Sequence, residues 1–105
     1  MEVKREKTDQ GFIKYVVFDN NHKVVNSDRI KITSPYDVGS NGWSIVIPDL
    51  RHQYYDGGYD RVTIYRGKNL KEIKEVLSKF STKEELFGFY YVSRLENKAF
   101  MGGNV

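Results

Sequence analysis

The residues best suited to chemistry in this 105-residue chain lie between Trp43 and Tyr65, in the stretch WSIVIPDLRHQYYDGGYDRVTIY. His52 stands there next to Arg51, with Asp49, Asp56 and Asp60 close by. A general base oriented by a carboxylate has this composition. So has a metal site built from one imidazole and several carboxylates. Neither arrangement is completed: the spacing of Asp49, His52, Asp56 and Asp60 matches no metal motif, and no nucleophile stands nearby. The chain contains no Cys, which excludes disulfides, Cys-based zinc sites and a thiolate nucleophile. The second histidine, His22, falls in a predicted turn, where an exposed turn residue is the simpler assignment. Asp56-Gly57-Gly58 lacks the glycine spacing and the Lys-Ser/Thr ending of a phosphate loop, and no helix follows it. Arg66-Gly67-Lys68-Asn69 places two cations just before a predicted helix start, whose free N–H groups favour anions. The same four residues also suit an ordinary polar connection. The expectation is therefore a protein with no enzymatic activity, catalytic residue, metal or cofactor.

What the segment does hold is recognition chemistry. It contains the only Trp and four of the eight Tyr of the chain. Tyr, Trp and Arg dominate binding hot spots, and Tyr offers a large contact area with few rotors to freeze. Arg51, His52, Tyr54, Tyr55, Tyr59, Arg61 and Tyr65 are accordingly the candidate contact residues for a protein partner. Mixed charge suits such a partner, because Asp49, Asp56 and Asp60 would repel phosphates. The alternative is nucleic-acid binding, in which the rings stack bases and Arg66 and Lys68 extend the positive side. No RRM, KH or helix-turn-helix signature accompanies it. A third assignment, in which the Tyr rings merely cover the end of a sheet, is as compatible with the residues as a partner surface.

The elements that must position these residues follow from periodicity. Trp43, Ile45 and Ile47 alternate with Ser44 and Val46, and Val62 and Ile64 alternate with Arg61, Thr63 and Tyr65; both patterns predict half-buried strands. Pro48 is expected to end the first, since it has no N–H for a ladder. Pro48 to Tyr59 then forms a loop of about 12 residues, a length usually functional or disordered. Its aromatic content favours a partly ordered one. Upstream, Phe12 to Phe18 is apolar on both faces, the pattern of a central strand. Asp19-Asn20-Asn21-His22 turns it into a hairpin with Lys23 to Asn26. Ser27-Asp28 interrupts, and Arg29 to Thr33 resumes with Ile30 and Ile32 inward. Ser34 to Gly42 is a loop by its Pro, Asn and Gly content. These four strands most simply form an antiparallel meander.

Downstream, Asn69 to Phe80 reads as a helix. Leu70, Ile73, Val76, Leu77 and Phe80 form one apolar stripe, with Asn69 as cap and Glu72 in the capping-box position. This helix is expected to cover one face of the sheet. A short helix at Lys83 to Phe87, stopped by Gly88, precedes a fifth strand at Phe89 to Leu95. The fold class expected is α+β: an antiparallel sheet of four to five strands in the order β-β-β-β-α-α-β, with one amphipathic helix packed on one face.

Length suggests a single domain over residues 1–105. The charged residues 1–10 and the Gly-containing tail beyond Glu96, residues 97–105, are expected to be flexible ends. The 17 basic and 14 acidic residues are well mixed, so a net charge of +3 does not by itself mark a polyanion binder. No apolar run approaches the ~20 residues of a membrane span, and no signal-peptide pattern follows the N-terminus. The chain is read as cytoplasmic, without membrane association, and as a monomer or homodimer. In size and Lys, Asn and Tyr content it resembles accessory proteins of phages and mobile elements, a likeness carried by no motif. Some of those act by masking a host protein such as a nuclease. The functional expectation is a small inhibitor that occludes a partner protein through its aromatic and Arg loop.

Overall fold

A computed structural model describes residues 1–37, 39–40 and 42–95, with the backbone alone for His52 and for residues 92–95. The expected tail at 97–105 lies outside the described residues. The chain runs β1 (Glu2–Lys7), β2 (Ile13–Phe18), β3 (Val24–Val25), β4 (Lys31–Thr33), β5 (Trp43–Gln53), β6 (Tyr59–Gly67), α1 (Leu70–Leu77) and α2 (Lys83–Leu95). It is α+β, as expected. Its strands, however, form two antiparallel three-stranded sheets, β1-β2-β3 and β4-β5-β6, rather than one meander.

The break between the sheets has a local cause. Val24–Val25 pairs with the end of β2, but Arg29 and Ile30 both donate backbone N–H bonds to the Asn26 carbonyl (2.9 and 3.1 Å). That turn ends pairing with β2 and carries Lys31–Thr33 across to β5. The Ser27-Asp28 interruption is thus a crossing between the two sheets.

The first sheet gains a strand at its start. Glu2 to Lys7, expected to fray, pairs residue for residue with β2, from Glu2 opposite Phe18 to Lys7 opposite Ile13. β2 is central, as its two apolar faces predict. A central strand needs a ladder on each side, and a charged neighbour supplies one as well as an apolar neighbour does. Val3 anchors β1 in the core at 5 % exposure. The Met1 amino group donates to the Leu77 carbonyl (2.9 Å) and to the Phe80 carbonyl, satisfying acceptors at the end of α1.

α1 forms as its sequence dictates. Asn69 Oδ1 accepts from the Glu72 N–H (3.0 Å), and Glu72 Oε1 accepts from the Lys68 N–H (2.8 Å). Ile73, Val76, Leu77 and Phe80 are buried. The helix packs on β6, β1 and β5, so it bridges both sheets rather than covering one.

The predicted fifth strand is absent: Phe89–Leu95 is the second half of α2. Thr82 caps the helix, its Oγ1 accepting from the Glu85 N–H (3.2 Å). Gly88, expected to stop it, lies in its interior with open space where a side chain would project. A glycine there costs about 1 kcal/mol. Leu86 and Tyr90, four apart and buried, offset it by roughly 1.5–3 kcal/mol each. One cluster of buried side chains draws on both sheets and both helices, centred on Val17, Ile45, Ile47, Ile73, Leu77 and Leu86. No helix among the described residues is long and apolar enough to cross a membrane.

Candidate functional site

The distal half of the β5–β6 hairpin carries the candidate site, and it is built differently from the loop expected. Pro48 does not end β5. It lies inside the strand, buried, opposite Arg61. β4 pairs only with Ser44, Ile45 and Val46, so at Pro48 the strand has a neighbour on one side alone. A proline without an N–H is tolerated at such an edge.

Beyond Pro48 the two strands run out of step. Asp49 faces Asp60 and Gln53 faces Tyr59, so Leu50, Arg51 and His52 are extra residues on β5. Tyr91 of α2 holds this bulge. Its hydroxyl accepts from the Leu50 N–H (2.8 Å) and donates to the Pro48 carbonyl (2.9 Å). Burial raises the Tyr91 pKa above the ordinary tyrosine value. Arg51 closes the same structure from outside. Its Nε donates to Asp49 Oδ1 (3.1 Å), and its guanidinium carbon lies 5.6 Å from the centre of the Tyr91 ring. Asp49 is itself buried.

The tip is a short turn. The Tyr54 N–H donates to the Gly58 carbonyl (2.7 Å) and the Gly57 N–H to the Tyr54 carbonyl (3.0 Å). Gly57 sits at φ +89°, a left-handed conformation that glycine adopts freely. A turn followed by such a glycine is the common three-residue hairpin connection. Asp56 Oδ1 accepts from the Gly58 N–H (3.0 Å) and fixes it further. The expected long loop therefore reduces to a strand extension plus Tyr55, Asp56 and Gly57.

The candidate residues separate into three groups on this frame. Tyr54 and Tyr55 project from the tip, 53 % and 112 % exposed. The Tyr54 hydroxyl donates to Asp60 Oδ1. That bond, with burial and the charges of Asp60 and Asp56 adding to it, raises the Tyr54 pKa. Arg51 and Arg61 are exposed flanks; Arg61 Nη1 donates to the Ser27 carbonyl (3.1 Å), tying β6 to the turn after β3. Tyr59 is half-buried. Tyr65 belongs elsewhere: it pairs with Ile45 and packs on the core, and burial, then Glu72, raises its pKa. Arg66 and Lys68 are exposed at the far end of β6, away from the tip rings. The His52 side chain lies outside what is described.

The carboxylates that suggested a general base or a metal site have separate occupations. Asp49 binds Arg51, Asp56 the Gly58 amide and Asp60 the Tyr54 hydroxyl. Among the described residues, no group of three or more His, Asp or Glu is placed to hold a metal ion. Two further residues contribute to the site: Tyr91, which lies in α2 rather than in the expected fifth strand, and Leu50, 40 % exposed beside the tip. The helical spacing of Leu86, Tyr90 and Tyr91 is the sequence signal for the first. Comparison of the chain with protein-family models, with curated proteins and with solved structures finds no match.

Proposed function

We propose that the protein binds a partner protein and occludes part of its surface, with the Tyr54–Tyr55 tip as the central contact and Leu50, Arg51 and Arg61 around it. The observation that carries this reading is Tyr55, fully exposed at the apex of a hydrogen-bonded three-residue turn. A ring held out on a preformed hairpin loses little entropy on binding. Gln53, Tyr54, Tyr55 and Asp56 also outline a shallow hollow of about 510 Å³ that a partner side chain could enter. Asp56 and Asp60 stand beside the rings, while Arg66 and Lys68 lie at the other end of β6. That distribution favours a partner of mixed charge over a polyanion.

The test is affinity capture from the native host in nuclease-treated lysate, comparing wild type with Tyr54→Ala plus Tyr55→Ala. Two hot-spot rings removed together should weaken binding by about 30-fold or more. The captured protein should withstand nuclease treatment and disappear with the double variant. Equal capture by a variant with wild-type circular dichroism refutes the proposal.

A further inference from the structure

A second feature stands at the opposite end of β5. The inward face of the first sheet runs Val3, Arg5, Lys7 along β1 and Val17, Tyr15, Ile13 along β2. Val3 and Val17 enter the core, but the face continues past it: Ile13 is 39 % and Phe12 70 % exposed. Tyr36, 88 % exposed, stands across from them in the segment after β4. That segment is fixed by Asp37 Oδ2, which accepts from the Ser34 N–H (2.7 Å), and by Ser34 Oγ, which accepts from the Tyr36 N–H (3.3 Å). Tyr15, edge-on to Trp43 at 5.2 Å between ring centres, forms the floor. The enclosed groove measures about 630 Å³, the size of a ligand cleft.

Its charges are unequal in availability. Asp37, the one carboxylate among the described lining residues, is engaged by the Ser34 amide. Arg5, the only cation on the lining, has no ion pair or hydrogen bond from its guanidinium among the described residues. Lys7 follows it on the same face. One uncommitted guanidinium beside an aromatic wall complements a carboxylate next to an apolar side chain.

We propose that this groove is a second recognition site, for a short protein segment carrying an aliphatic side chain adjacent to Asp or Glu. The aliphatic group would lie between Phe12 and Tyr36, and the carboxylate would meet Arg5. A nucleic acid is the less suited occupant, because Arg5 is the one cation among the described lining residues and Asp37 stands beside it, which offers little to a phosphate chain. β5 spans the distance to the Tyr54–Tyr55 tip, roughly 30 Å at strand rise, so both sites are accessible together. The proposal is independent of the function assigned to that tip.

The experiment is an amide-resolved NMR titration of the full chain with acetyl-Gly-Leu-Glu-Leu-Gly-amide and its Gln and Lys counterparts. The glutamate peptide should shift Phe12, Ile13, Tyr15 and Tyr36 and bind about tenfold tighter than the lysine peptide. Arg5→Gln should abolish that preference, with the rest of its spectrum unchanged; Tyr36→Ala should weaken all three peptides. The Tyr54→Ala plus Tyr55→Ala variant should bind them as wild type does. No shifts at millimolar glutamate peptide, equal binding of all three peptides, or tighter binding of a short oligothymidylate to the same residues would each overturn it.

Discussion

Tyr91→Phe isolates the contact on which the geometry of the hairpin depends. The substitution keeps the ring, and with it the Arg51 contact at 5.6 Å, and removes only the hydroxyl. Two hydrogen bonds go: Leu50 N–H to the hydroxyl at 2.8 Å and the hydroxyl to Pro48 carbonyl at 2.9 Å. Each contributes about 1 kcal/mol net. The Leu50 amide can turn to water, since its residue is exposed, but the Pro48 carbonyl sits in a buried residue and bears a desolvation penalty. The expected loss is about 2 kcal/mol. With a urea slope of about 2 kcal/mol/M, the unfolding midpoint should fall by about 1 M. Hydrogen exchange at the Leu50 amide should accelerate beyond what global destabilisation accounts for, because the bulge opens locally. Partner binding should weaken less than for the double tip variant, since both tip rings remain. An unchanged midpoint together with an unchanged Leu50 exchange rate would show that the α2 hydroxyl does not hold the bulge, and the preorganisation argument for the tip would go with it.

Two pH dependences follow from the hydrogen bonds. Tyr54 has its folded-state pKa raised, chiefly by donation to Asp60, so the stability it adds is present below the ordinary tyrosine pKa of about 10 and is lost as pH rises through the folded value. Tyr65 and Tyr91 also have raised pKa values, so spectrophotometric titration should find one fewer late-ionising tyrosine in Asp60→Asn than in wild type; identical titrations would contradict the bond. Asp19 has its pKa lowered, first by the Lys23 N–H and then by the Asn21 N–H. Its contribution is present above the unfolded carboxylate pKa of about 4 and disappears as pH falls through the folded value. The stability difference between wild type and Asp19→Asn should therefore shrink on acidification below roughly pH 4, and a difference constant with pH would refute that assignment.

The sequence by itself determined those elements whose signal is local and repeated. β2, the Val24–Val25 return, β6 and α1 with its Asn69 cap follow from period, capping chemistry and turn residues acting over a few positions. The concentration of exposed Tyr at the Tyr54–Tyr55 tip was legible for the same reason: Asp56-Gly57 is turn chemistry wherever it occurs. Tertiary structure decided everything that needed a neighbour. Glu2–Lys7 has no apolar period, yet becomes a strand because β2 offers an unpaired ladder. Pro48 stays within a strand because β4 stops short of it. Phe89–Leu95 alternates like a strand, yet continues a helix in which Leu86 and Tyr90 both reach the core. Tyr65 is chemically like Tyr55, and only position along the hairpin, within β6 against the core or at the apex of the turn, packs one ring on the core and leaves the other on the surface. Local propensity amounts to tenths of a kcal/mol per residue, whereas a buried side chain or a completed ladder contributes about one to three, so the partner across space prevails wherever the two disagree.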